Sequence, residues 1–369
     1  MIKRMSRGAG SRSAGKNKKL GLLIGLVLLS ASCNPFAAPQ QAGIYKTVNG
    51  GADWRPADAL KTGTGSLSQT YISKLAFDPG NNQTVFAGSY SGGLFKSGDA
   101  AATWSNVLSN IQVYDFAINP ENSKIIYAAG LCVDHGCVLK TTDGGGSWNE
   151  VYHEGAASNP VRTVSINPQN PNQMAIGTTL GSVVKSSDAA ASWQLADNFN
   201  DQVNEVLWQD NIYVLLKDKG MFKSTDLGAT FTELTASLKT SYSVGSIDYT
   251  TNTSGVGTYH QAYVDATDPN LIYFTTDEGL YKSTDGGQTW KAQTLPVQPG
   301  QTAARAVSVA NSSSNIVYAS VGGTVYKSLD GGQTWQTQGI VTAGFVNYIL
   351  IDPYLPQIAY TGIYINPSN

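Results

Sequence analysis

Short apolar runs alternate with polar, glycine-rich turns along most of the 369-residue chain. The stretch GLYKSTDGGQTW (279–290) shows the unit: an apolar strand, a Lys, a polar turn with two Gly, then Thr and Trp. Six more copies are GIYKTVNGGADW (43–54), GLFKSGDAAATW (93–104), CVLKTTDGGGSW (137–148), SVVKSSDAAASW (182–193), GMFKSTDLGATF (220–231) and TVYKSLDGGQTW (324–335). Their starts are separated by 50, 44, 45, 38, 59 and 45 residues. Each copy predicts a β-hairpin, a strand that turns into its neighbour.

Each column has a physical reason. Lys holds the fourth place in every copy, from Lys46 to Lys327. Strand alternation turns it away from its apolar neighbours, so it is expected to face solvent. Ser or Thr follows. Two places on stands Asn49, Asp99, Asp143, Asp188, Asp226, Asp285 or Asp330, whose short side chain accepts hydrogen bonds from the N–H groups of the turn. Two places further, Gly permits a left-handed backbone; Ala101 and Ala190 replace it in two copies. Trp closes six copies and Phe231 the seventh, each with a large area to bury between units.

Two more strands precede most hairpins, joined by a turn that often holds Pro. Examples are SKLAFDPGNNQTVFAGSYSG (73–92), YDFAINPENSKIIYAAG (114–130), RTVSINPQNPNQMAIGT (162–178) and RAVSVANSSSNIVYASV (305–321). Four strands at this spacing make one blade of a β-propeller. The first hairpin lacks inner strands, and the last inner segment, NYILIDPYLPQIAYTGIYI (347–365), lacks a hairpin. Together they complete a blade and close the ring, which removes exposed sheet edges. The prediction is an all-β, seven-bladed β-propeller of four-stranded antiparallel blades over 43–365. Its N-terminal outer strands pair with C-terminal inner strands, and a tail follows at 366–369.

The N-terminus has a different character. Residues 1–19 carry seven cations and no acid, and LGLLIGLVLLSAS (20–32) is mostly apolar. That run is shorter than the roughly 20 residues a spanning helix needs, but it suits the core of a secretory signal. LLSASC (28–33) resembles a bacterial lipobox, with Ala31 and Ser32 before Cys33 and Ser30 where Leu is usual. The expectation is a lipoprotein signal at 1–32, lipidation at Cys33, a short linker at 33–42 and an extracytoplasmic, lipid-anchored chain. Asn34 is not the Asp associated with inner-membrane retention, which favours the outer membrane where the envelope has one.

Loss of the signal removes seven of 24 Lys and Arg, leaving 17 against 26 acids, a net charge of −9. Arg55, Arg162 and Arg305 remain. This charge excludes a nucleic-acid partner. Cys132 and Cys137, in GLCVDHGCVLK (130–140), bracket Asp134 and His135. A structural zinc site wants four ligands, and His153 and His260 lie far off in sequence. A disulfide closing a short loop is therefore expected, with no metal and no cofactor.

The pattern Ser/Thr-x-Asp-x-Gly-x-Thr-Trp resembles the Asp-box, or BNR, repeat of sialidases, sortilin-type receptors, family 74 xyloglucanases and the photosystem II assembly factor. In those families the box lies at the outer turn between strands three and four, away from any active site. The resemblance therefore implies a structural role for Asn49 and the six box Asp residues. The sialidase Arg-Ile-Pro signature is absent, and Arg162 and Arg305 lie three blades apart. Family 74 enzymes place two Asp between two propellers, and this chain has room for one. The assembly factor is closer in size and implies a chaperone-like scaffold, although its Arg-rich patch is not evident among three Arg.

Aligning the inner strands on their Pro turns sets Ser73, Tyr114, Arg162, Asn204, Tyr263, Arg305 and Asn347 at the channel entrance, beside Lys74, Asp115, Glu205 and Tyr348. The candidate ligand-binding residues are Tyr114, Arg162, Asn204, Tyr263, Arg305 and Asn347, a set suited to a sugar or an anion. Asp115 and Glu205 are the catalytic candidates, since glycoside hydrolysis needs carboxyls roughly 5–9.5 Å apart. The stretch TSYSVGSIDYTTNTSGVGTYHQ (240–261) explains the 59-residue interval. Its SVGSIDYT and the overlapping VGTYHQAYV predict an extra hairpin around TNTSG, with Tyr242, Tyr249 and Tyr259 as a docking patch. The expected function is that of a monomeric, non-enzymatic binding or assembly scaffold, using one propeller face for an envelope or secreted protein or a glycan. A glycan-active hydrolase or lectin-like protein working at the channel mouth is the alternative.

Overall fold

The computed structural model describes residues 42–365 apart from 245, 246, 255, 256, 299, 342 and 343, and the side chains outside 239–256 and 340–343. The expected signal, Cys33 and most of the expected linker lie outside the described residues. Seven four-stranded antiparallel sheets form the blades. Blade 1 runs Ile72–Asp78, Asn81–Ser89, Gly93–Ser97 and Ser105–Leu108 from the inside out. Blades 2 to 6 repeat this order over 112–157, 161–198, 203–233, 259–292 and 304–341. Blade 7 takes Phe345–Ile351 and Ala359–Tyr364 from one end of the chain and Gly43–Thr47 and Arg55–Pro56 from the other. Gly43 faces Ile363 and Thr47 faces Ala359 across that seam.

The core is distributed as seven apolar wedges, one between each pair of blades. Phe86 and Leu94 of blade 1 meet Phe116 and Ile126 of blade 2; Tyr318 and Val325 of blade 6 meet Tyr45 and Ile349 of blade 7. Second strands are covered on both faces, so Met174–Thr178, Ile212–Leu216 and Ile272–Thr276 are buried throughout. Such strands read as continuous apolar runs without alternation.

The box turns knit the wedges together. In box after box the Ser or Thr hydroxyl donates to the Asp carboxylate, which accepts from the N–H four residues on, as in Ser283, Asp285 and Thr289. These hydrogen bonds hold the box carboxylates below their ordinary range, to about 2 in Asp99, Asp188, Asp285 and Asp330. The residue after the Asp has a left-handed backbone even where it is Ala100, Ala189 or Leu227. That conformation turns its N–H onto the strand 1–2 turn of its own blade, as Gly144 does onto Lys124 and Ala189 onto Asn172.

The lysines depart from the expectation of solvent exposure. All seven are half-buried. Six donate to the carbonyl of that left-handed residue in the next blade: Lys46 to Ala100, Lys96 to Gly144, Lys140 to Ala189, Lys185 to Leu227, Lys282 to Gly331 and Lys327 to Gly50, at 2.8–3.5 Å. The last of these crosses the seam. Cross-strand pairing sets six lysines over an aromatic ring, among them Lys46 over Tyr360 and Lys223 over Tyr213. Burial lowers the pKa of Lys46, Lys282 and Lys327. Alternation did turn the lysine from its neighbours; the face it reached is the groove toward the next blade.

Four box tryptophans reach the other way. Trp148 and Trp193 donate their indole N–H to Val107 and Val151 on the outer strand of the preceding blade, and Trp104 and Trp290 to Ala57 and Leu234 just past it. The insertion forms its hairpin from Lys239–Val244 and Ile247–Ser254, with Tyr242 opposite Tyr249. The predicted second arm, VGTYHQAYV, is instead the innermost strand of blade 5, Tyr259–Val264. Tyr259 is fully buried there and leaves the proposed docking patch; the side chains of Tyr242 and Tyr249 lie outside the described residues.

Lys282→Met keeps the apolar stem but loses the bond to Gly331. We expect it to lower stability by about 1–2 kcal/mol, read from urea melts. An unchanged midpoint would show that the lysine bridges contribute nothing.

Candidate functional site at the channel mouth

Every innermost strand carries one residue more than its neighbour where it leaves the mouth. Ile72 pairs with Ser89 and Lys74 with Gly88, Val113 with Gly130 and Asp115 with Ala129, Val161 with Thr178 and Thr163 with Gly177. Blades 4 to 7 show the same slip. A β-bulge re-aims side chains, and this one turns a polar residue of each blade inward. Ser73, Tyr114, Arg162, Asn204, His260, Arg305 and Asn347 line a cavity of about 360 Å³ together with Lys74, Asp115, Glu205 and Tyr348.

Six of the seven expected entrance residues are therefore in place. Tyr263 is not. It is half-buried against the wedge between blades 5 and 6, its hydroxyl 3.4 Å from Asp265. The strand 1–2 turn has two places for Pro, both filled in blade 3 by Pro168 and Pro171 and in blade 7 by Pro353 and Pro356. Blade 5 keeps only the second, Pro269, and its turn begins at Asp265, which accepts from the N–H groups of Thr267 and Asp268. Alignment on Pro269 shifts the strand by three residues and hides His260, the residue that sequence reasoning missed. The Asx turn at Asp265 was the signal that places it.

Below the rim, side chains of one blade cap N–H groups of the next. Asp115 accepts from Val164, the Thr163 hydroxyl from Val206, Glu205 from Ala262 and Gln261 from Val307, at 2.7–3.1 Å. Both Asp115 oxygens are committed: one takes Lys74 at 2.6 Å and the N–H of Phe116, the other Thr163 and Val164. Glu205 carries less support. Burial pushes its pKa up to about 7, against the opposing pull of the Ala262 N–H and of Lys74.

The arginines differ. Arg305 donates to His260 Nδ1 at 3.3 Å, and His260 Nε2 lies 2.8 Å from Asp277. With Arg305 donating into Nδ1, His260 donates Nε2–H to Asp277, and burial and the Arg305 charge lower its pKa against the pull of Asp277. Arg162 has no carboxylate within ion-pair distance among the described residues. Its guanidinium lies over the Tyr114 ring at 4.7 Å, and Tyr114 leans edge-on against Tyr90. Lys217, exposed on the same rim, is also unpaired among the described residues. The mouth is thus locally cationic on a chain whose expected mature form carries −9.

Glu205 gives a pH test. Between its ordinary value of 4.5 and about 7 the folded chain holds a proton that the unfolded chain has released. Stability then falls as pH rises through that window. Glu205→Gln removes the titration, so it should gain stability relative to wild type between about pH 5 and pH 8, measured by urea melts. Parallel profiles would contradict the shifted carboxyl.

The BNR/Asp-box repeat family matches at residues 281–292. A search of curated proteins gives no match. Among solved structures, the GH74 xyloglucanase from Xanthomonas campestris superimposes with a TM-score of 0.62 at 16% identity, over 80% of this chain and 51% of that one. The chain thus spans about half the length of the xyloglucanase. YCF48 from Cyanidioschyzon merolae gives 0.60 at 13% identity, over 81% of this chain and 97% of that one. YCF48 bound to D1 peptide gives 0.58 at 15% identity, over 81% and 94%. At these identities the likeness is one of fold. The chain is a seven-bladed β-propeller that carries the BNR/Asp-box repeat.

Proposed function

We propose that the protein is an extracytoplasmic, non-enzymatic binding scaffold, lipid-anchored through Cys33, that captures an acidic group of a protein or glycan at its channel mouth. The observation that carries this reading is Arg162. It is a planar, always-charged donor fork held on an aromatic face, with no anion of its own among the described residues. Lys217 adds a second unpaired charge on the rim. The rest of the ring, Tyr114, Asn204, Asn347 and the Arg305–His260 pair, supplies donors and a stacking surface. A YCF48 propeller that this chain matches over 94% of its length was solved with a peptide bound, which makes a peptide segment a fitting occupant here.

Glu205 favours one second reading, a glycan-active hydrolase. A carboxyl with a pKa of about 7 facing a polar cavity has the character of a general acid. Such an enzyme also needs a second carboxylate with a free oxygen, and both oxygens of Asp115 are occupied. The balance lies with binding.

The test is capture from cross-linked native envelopes with the full-length protein as bait. Wild type should retain a partner that Arg162→Ala loses at least tenfold, and Cys33→Ser should release the bait from the membrane fraction. Undiminished capture by Arg162→Ala would place binding elsewhere. Glycan cleavage lost in Glu205→Gln would turn the assignment to the hydrolase.

A further inference from the structure

We infer that the outer hairpin of blade 2 holds a divalent transition-metal ion between His135, His153 and Glu150, with Asp134 orienting His135. The strands are His135–Thr141 and Asn149–Ala157. Glu150 pairs with Leu139 and His153 with Cys137, although regular alternation would put 150 and 153 on opposite faces. An extra residue between Glu150 and Tyr152 shifts the register, so both share the face that also carries His135. Residues 15 and 18 apart from His135 in sequence converge on it through this bulge.

One carboxylate oxygen gathers a nitrogen from each histidine. His135 Nε2 lies 3.1 Å and His153 Nδ1 2.9 Å from the same oxygen, Glu150 Oε1. Metal bonds of about 2.0–2.2 Å, at octahedral to tetrahedral angles, separate neighbouring ligand atoms by about 2.9–3.5 Å. The two imidazoles are neighbours, with centroids 3.8 Å apart and planes tilted by 32°. The second nitrogen of His135, Nδ1, is 3.0 Å from Asp134 Oδ1. A carboxylate behind a histidine fixes the tautomer that leaves Nε2 free to ligate.

The loop that presents the set is braced from several sides. The Cys132–Cys137 disulfide closes it. Cys132 N–H donates to the His135 carbonyl, and Ser158 N–H to that of Asp134. Cys132 Sγ lies near the cluster but is spent in the disulfide. Two imidazoles and one carboxylate suit zinc, nickel, cobalt or copper rather than calcium or magnesium. Three protein ligands also leave a position for water or another donor.

The experiment is calorimetric titration of the full-length protein, made without a histidine tag, with zinc chloride and then calcium chloride. We expect one saturable zinc site and no calcium binding. His153→Ala and Glu150→Gln should each weaken zinc binding at least tenfold, and Asp134→Asn about tenfold. Thermal melts of these variants without metal should match wild type, and His260→Gln should bind zinc normally. Absence of saturable zinc binding in wild type, or zinc binding untouched by His135→Ala and His153→Ala, would overturn the site.

Discussion

One directional contact recurs around the ring: in six of the seven boxes the lysine reaches the carbonyl of a left-handed residue in the next blade's box. A blade alone is a small sheet with two apolar faces, and only a neighbour on each side buries them. Hydrophobic contact sets how much area is covered but not the angle between blades. The lysine bridge adds direction, because it ties one backbone atom of an outer turn to the strand behind it. Ala100, Ala189 and Leu227 hold that carbonyl in a left-handed conformation that normally selects Gly. The bridge from Lys327 to Gly50 applies the same constraint to the two ends of the chain, next to the strand pairing that closes blade 7.

With the outer turns locked, the opposite face is free to carry the chemistry. There each innermost strand starts with a bulge, and each bulge delivers one side chain to the channel. The acids of that region are largely spent on the architecture. Asp115 gathers two blades and Lys74 around itself, and Glu205 holds the next rung. Arg162 is left as a charge without a protein counterpart among the described residues, at the mouth of the channel.

Much of this was legible in the sequence because it repeats. Seven copies of one hairpin gave the blade count and the seam, and the two cysteines gave the disulfide. The lysine was misread because alternation predicts which way a side chain points but not what stands there, and the next blade stands there. Tyr263 was misread because Pro marks two places in one turn, and an alignment on the wrong one moves a strand by three residues. The interior of 240–261 was divided wrongly because two neighbouring alternating segments compete for one hairpin, and only the ring says which one it needs. The meeting of His135 with His153 had no sequence signal, since it depends on a bulge that alternation cannot foresee.

The central claim, that Arg162 takes an anion at the mouth, is tested most directly on paired arrays of peptides and glycans probed with the full-length protein and with Arg162→Lys. Lysine keeps the charge and loses the planar fork. The account predicts that the retained spots carry a carboxylate, sulfate or phosphate, and that Arg162→Lys weakens them about tenfold or more. Retention of neutral spots, or equal retention by the two proteins, would contradict it.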